Sequence, residues 1–376
     1  MHYDTLIVGC GLSGAVVAER FARLKNEKIL IIDKREHIGG NIYDYKDKDT
    51  NITVHKYGPH IFHTSIKEVW DYLSLFTKWH YFFLQPKAFI DGQKATLPFN
   101  LNTLHEVLPK SLASNLEEKL ILKYGYNVKV PILELRQNDD EDLKFLANFI
   151  YDKVFKNYTS KQWGLEPDKI DPSVTARVPV YISKDNGYFQ DTYQAIPKNG
   201  YTKLIENILN HENIKISLNT EFKSLSKDIS YDKLIFTGAI DEFFDYKFGE
   251  LPYRSLNFDI RLEECEYYQE RVVVNYPNNF DFTRICEHKH FLNEKADKTI
   301  ISVEYPQAFE LGKNERYYPI NNPPNQALYE AYQNEAKKLK NVYFIGRLGD
   351  YKYYDMDKVV KRALEFVELI FKCNKI

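Results

Sequence analysis

Cysteine is scarce: Cys10, Cys265, Cys286 and Cys373 are the only four in 376 residues, and none stands in CxxC spacing. That excludes a zinc ribbon or a disulfide framework and suits a reducing compartment, so a cytoplasmic location is expected. A surplus of positive charge is missing too, with 51 Lys+Arg against 53 Asp+Glu and a net charge of -2. Without a basic field, no nucleic acid partner is expected. No apolar run reaches the roughly 18 residues of a membrane span, and no basic region with a cleavage site opens the chain. Neither membrane span nor signal peptide is expected. Internal repeats and low-complexity tracts are absent. What is abundant is aromatic: 29 Tyr and 24 Phe. Rings with polar tips suit a stacking, hydrated ligand site, although core packing accounts for most of them. The length implies two or three structural units, enough to enclose a large cofactor.

The stretch DTLIVGCGLSGAVVAERFARL reads as an apolar strand, then Gly9-x-Gly11-x-x-Gly14, then an amphipathic helix. Those glycines permit a tight turn and let a pyrophosphate approach the helix N-terminus, where unpaired N–H groups and the dipole attract negative charge. A second strand, KILIID, ends at Asp33, at the roughly 20-residue distance where an acid binds the ribose hydroxyls of a dinucleotide. KREHIGGN follows directly, and a basic residue before Gly39-Gly40-Asn41 is the pattern of FAD proteins, with Arg35 expected to meet the diphosphate. NAD or a vestigial nucleotide fold are the alternatives, and neither requires acid and base together.

YDKLIFTGAI and NVYFIGRLGD are short apolar runs ending in glycine and are expected to return to the same parallel sheet. The fold class is therefore α/β: a discontinuous Rossmann-like FAD-binding domain (1–75, about 195–245 and 335–376) with an inserted helical domain (about 100–160) and an antiparallel sheet domain (about 76–99, 161–194 and 246–334). A histidine pair in EHKHF lacks a third ligand and reads as surface on a strand; no metal is expected. Asp355 is expected to cap the last helix.

Read together, IVGCGLSGAV, HKYGPHIFHT, YTSKQWG, IPKNGYTKLIE, FDYKFGELPYRSL, TRICEHKHF and GRLGDYKYYDM resemble the prokaryotic UDP-galactopyranose mutases along nearly the whole chain. The resemblance implies reversible ring contraction of UDP-galactopyranose to UDP-galactofuranose, with N5 of reduced FAD as the nucleophile on the anomeric carbon, in cell-surface glycan synthesis. It implies a mobile-loop arginine at Arg177 and a fixed one at Arg284, both on the substrate diphosphate, with Tyr188, Tyr318 and Tyr353 beside them. Uridine is expected at Tyr158, Trp163, Phe155 and Val154, the last aliphatic where relatives stack an aromatic. His60 and His63 are expected near the isoalloxazine. The cofactor is expected on Gly9, Gly11, Ser13, Gly14, Asp33, Lys34, Arg35, Gly39, Gly40, Asn41, His60, Ile61, Gly346, Arg347, Asp355 and Met356. A homodimer, an external reductant such as NAD(P)H, and acceptance of UDP-N-acetylgalactopyranosamine are further implications. Two rival readings share the glycine fingerprint: a flavin amine oxidase or desaturase, and a non-enzymatic module like the GDP-dissociation inhibitors. Both leave Arg177 and Arg284 without a diphosphate to hold.

Overall fold

Five short, branched-aliphatic runs pair into one parallel sheet in the computed structural model, which describes residues 1–164 and 179–373. Its order is Ile214–Ser217, Ile29–Ile32, His2–Val8, Ser230–Phe236, Val342–Phe344, and each neighbouring pair runs parallel. Central strands of such a sheet are covered on both faces, which is why Leu6, Ile7, Ile29, Ile31 and Ile235 are all buried. On one side the helix Leu12–Lys25 lies beside the terminal helix Met356–Cys373, with the Phe21 ring tilted against Phe366 and Phe371 at centroid distances of 6.5 and 5.5 Å.

A second core belongs to the helices Leu101–Val107, Lys110–Tyr124 and Glu141–Ile150, which close over Leu104, Leu116, Leu120, Leu143 and Leu146. Their starts are set locally. Asn100 accepts from Thr103 N while the Thr103 hydroxyl accepts from Asn100 N, both at 3.0 Å, and Asp140 caps the third helix. Residues Tyr151–Lys156 then wind as a π-helix before Asn157–Trp163 resumes the α form. The wider turn re-aims Val154 and Phe155 relative to the helix before it, a device common at functional sites.

The largest sheet has seven strands, ordered Tyr318–Pro319, Tyr253–Glu263, Thr299–Ala308, Arg284–Glu287, Val273–Asn275, Lys87–Ile90, Gln93–Thr96. It is antiparallel except where Val273–Asn275 runs parallel to Lys87–Ile90. No helix among the described residues is long and apolar enough to cross a membrane.

One expectation is overturned here. His288 is neither on a strand nor at the surface: the strand ends at Glu287, and His288–Phe291 turn as a short 3₁₀ helix with His288 fully buried. Its Nδ1 accepts from His55 N at 3.2 Å, so Nε2 carries the proton and meets Ser302 Oγ at 3.1 Å. A neutral ring satisfied from two other segments can be buried, and sequence spacing shows neither partner. Burial pushes His288 down to about 3, and His55 also lies well below the ordinary histidine value. The unfolded chain then binds more protons than the folded one below the ordinary value of 6.5, so stability falls as pH falls through it. From about pH 7.5 to about pH 5, His288 alone should cost about 2 kcal/mol. Urea unfolding at both pH values checks this, and His288→Gln should shrink the difference.

Candidate active site

The glycine loop leaves the end of His2–Val8 and opens a cavity of about 740 Å³. Side chains are excluded from the turn. A Cβ on Gly9, whose φ is +104°, would meet Thr237 Oγ1 at 2.0 Å, and one on Gly14 would meet Gly9 O at 2.1 Å. The second glycine turn approaches as closely: Gly39 bridges to Gly11, and a Cβ on Gly40 would stand 3.1 Å from Gly11 Cα. No side chain among the described residues caps the helix starting at Leu12, so its first N–H groups can serve an anion. Asp33 accepts from Cys10 N at 2.8 Å and from Arg35 N at 2.9 Å, which holds its carboxylate in the cavity wall with lone pairs left for two ribose hydroxyls. Arg35 stands in the same wall, but its guanidinium pairs with Glu315 at 2.9 Å and lies over Tyr57, so its charge is shared before any diphosphate arrives. These features fit FAD: the cradle admits a pyrophosphate, the acid a ribose.

A second cavity, of about 430 Å³, adjoins the first, and His60, Arg347 and Met356 stand in the walls of both. One wall comes from the π-helix and the helix after it, with Val154, Phe155, Tyr158 and Trp163; the opposite one comes from the sheet, with Arg284 and Tyr318. Trp163, Tyr318 and Tyr353 form a box of rings, with centroids 5.8 Å (Trp163–Tyr318), 6.0 Å (Trp163–Tyr353) and 5.1 Å (Tyr318–Tyr353) apart. Tyr188, His63, Ile61 and Asp355 complete the lining relevant to chemistry.

Charge in this cavity is arranged in pairs. Arg284 presents Nε and Nη2 to one oxygen of Glu304 at 2.8 and 2.6 Å, and the other oxygen accepts from Thr283 Oγ1 at 2.9 Å. Burial alone would lower the Arg284 pKa; Glu304 outweighs it and holds the guanidinium well above its ordinary value. Arg284 is therefore a fixed cation whose Nη1 end is what it can offer an anion. Burial raises the Tyr158 and Tyr318 hydroxyls, so both are neutral donors. His60 donates from Nδ1 to Gly58 O at 2.7 Å, and burial pushes it down to about 4, leaving Nε2 a neutral acceptor. His63 pairs with Asp191 at 2.8 Å and stacks on Phe189 with centroids 3.7 Å apart.

Most residues singled out by sequence converge on these two cavities. Gly9, Gly11, Ser13, Asp33, Lys34, Arg35, Gly39, Gly40, Asn41, Gly346 and Arg347 line the larger one. Gly14 stands behind it, while Ile61 and Asp355 face the smaller one instead. The terminal helix begins at Met356, directly after Asp355. Arg177 lies outside the described residues. Sequence reasoning missed Glu304, Glu315 and Asp191, the acidic partners of Arg284, Arg35 and His63. It also missed Thr220, Phe222 and Tyr246 at the far end of the larger cavity. A signal existed for one of them: Glu304 interrupts the apolar run KTIISVEYP, and a carboxylate 1% exposed needs a cation.

The family model described as UDP-galactopyranose mutase matches residues 153–353, and one for an NAD(P)-binding Rossmann-like domain matches residues 7–76. The dTDP-fucopyranose mutase of Escherichia coli is 38% identical over 98% of this chain and 99% of its own length. The UDP-galactopyranose mutase of Mycoplasma genitalium is 36% identical over 96% of this chain and 93% of its own. Among solved structures, a reduced UDP-galactopyranose mutase superposes with a TM-score of 0.74 at 15% identity, covering 99% of this chain and 96% of that one.

Proposed function

Because the chain belongs to the UDP-galactopyranose mutase family, we propose that it interconverts UDP-galactopyranose and UDP-galactofuranose on bound FAD. The observation that carries this reading is the shared wall: His60, Arg347 and Met356 border both the dinucleotide cradle and the cavity with Arg284 and the tyrosines. His60, Arg347 and Met356 would hold a cofactor ring at that junction, beside a nucleotide whose diphosphate would lie against Arg284. FAD, when bound and reduced, supplies N5 as the nucleophile for the anomeric carbon.

The chain's own groups do the rest. Arg284, kept charged by Glu304, stabilises the charge that the diphosphate gains as it leaves the sugar. Tyr318, Tyr353 and Tyr188 donate to the same oxygens. Arg177, carried over from the family likeness, is the second guanidinium. Tyr158 and Phe155 receive the base, and stacking of this kind contributes about 1 to 3 kcal/mol. His60, neutral at Nε2, accepts from a hydroxyl of sugar or cofactor. A homodimer, a reductant such as NAD(P)H, use in cell-surface glycan synthesis and turnover of the N-acetylated analogue belong to this reading.

A specific observation favours a second substrate. The relative from Escherichia coli, a dTDP-fucopyranose mutase, matches over nearly the full length, and Val154 gives the smaller cavity an aliphatic wall that would suit a thymine methyl. The test is chromatography of purified protein incubated with UDP-galactofuranose, its N-acetylated analogue and dTDP-fucopyranose, with and without dithionite. Conversion of the first only under reduction supports the main reading. Conversion of dTDP-fucopyranose alone moves the assignment to the second, and no conversion of any overturns both.

A further inference from the structure

The helix carrying the base-facing residues and the hairpin carrying Arg284 belong to different cores, yet three polar groups strap them together. Lys161 Nζ donates to the carbonyls of Tyr276, Phe280 and Phe282 at 2.6, 3.0 and 2.9 Å. An ammonium has three N–H donors, and here each has an acceptor. Those carbonyls belong to the loop joining Val273–Asn275 to Arg284–Glu287. Asn278 of that loop donates to Lys153 O at 2.8 Å and accepts from Asn157 at 2.7 Å, so the helical segment is held at both ends. Behind it, Arg254 donates to the last helical carbonyls, those of Lys161 and Gln162, each at 3.1 Å. Gly164 closes the helix in the left-handed conformation, and a Cβ there would meet Arg254 Nη1 at 2.8 Å. Burial draws the Lys161 pKa down to about 8 while Asp281 acts against it, as for an amine held mainly by carbonyl dipoles.

We propose that Lys161 is a positioning residue for nucleotide binding: its ammonium fixes the span between the helix bearing Tyr158 and Trp163 and the hairpin bearing Arg284. The base end and the diphosphate end of the cavity are set on those two pieces, so one side chain keeps the site at the length of its ligand. This rests on the nucleotide-sugar reading of the cavity. A preformed span lowers the ordering cost of binding, and its loss appears in affinity before it appears in chemistry.

The test uses the flavin-loaded protein with UDP and dTDP as calorimetric probes, and steady-state kinetics on whichever sugar nucleotide turns over. Lys161→Met should raise Kd and KM about tenfold or more while kcat stays within about threefold and flavin content is unchanged. Asn278→Ala, at a half-buried loop position, should move Kd the same way by a smaller factor. Unchanged Kd in Lys161→Met overturns the proposal, as does a fall in kcat at constant KM. If Lys161→Met does not fold, unchanged Kd in Asn278→Ala overturns it. Failure of the wild-type protein to bind either nucleotide overturns the functional reading and this proposal together.

Discussion

Arg284→Ala is expected to lower kcat/KM by about a thousandfold, because one fixed cation is removed from the place where the leaving diphosphate gains charge. The same change has a second consequence. Glu304 is buried and spends one oxygen on Arg284 and the other on Thr283, so the variant strands a carboxylate in the sheet. Breaking such a pair from one side costs about 3 to 5 kcal/mol. Lost activity in the single variant therefore mixes chemistry with folding. The double variant Arg284→Ala/Glu304→Ala separates them: thermal stability should recover most of the loss, while turnover should not recover at all. Flavin content should match wild type in both, since Arg284 faces the smaller cavity. A double variant that regains stability and activity together would show that Arg284 serves the fold and not the substrate.

The other large effect concerns cofactor capture. Gly14→Ala should yield protein with less than about a tenth of the wild-type flavin, because helix and strand cannot spread to admit a methyl group where the added carbon meets Gly9 O at 2.1 Å. Both partners are backbone, so no rotamer change relieves the clash, and moving Gly9 displaces the turn that cradles the pyrophosphate. Visible absorbance of purified protein reads the outcome, and added FAD should not restore it. Gly92→Ala is the control: no atom of the described residues lies within 4 Å of a Cβ there, although its φ of +91° adds some strain. That variant should stay yellow. A yellow Gly14→Ala protein would remove the close-approach argument for this glycine.

What sequence discloses about this molecule divides by distance along the chain. The glycine loop, Asp33 and the second glycine pair lie within one strand–helix–strand passage, where spacing alone determines geometry, and all of them but Gly14 meet in one cavity wall. Helix starts at Asn100 and Asp140 are similarly local. Partnerships across strands are not. Arg284 and Glu304 face each other through an antiparallel register, and neither position carries a mark naming the other. The pairing reduces what Arg284 can offer an anion to one end of the fork. Arg35 likewise has a partner that spacing does not show, because Glu315 lies on a segment remote in sequence. His288 shows the reverse error, in which a polar residue was placed at the surface because the groups that satisfy it come from elsewhere.

The parallel sheet has a bearing on how the protein is made. His2–Val8 pairs on one side with Ile29–Ile32, which leaves the ribosome soon after it, and on the other with Ser230–Phe236. At about 5 to 20 residues per second, the second partner arrives roughly ten to forty-five seconds later. Throughout that interval an apolar strand edge, meant for the middle of a sheet, waits without its neighbour and needs shelter from other nascent chains. Val342–Phe344 and the terminal helix are later still. The larger cavity, which Thr237, Gly346, Arg347 and Met356 help to line, therefore closes only after these late segments have been made.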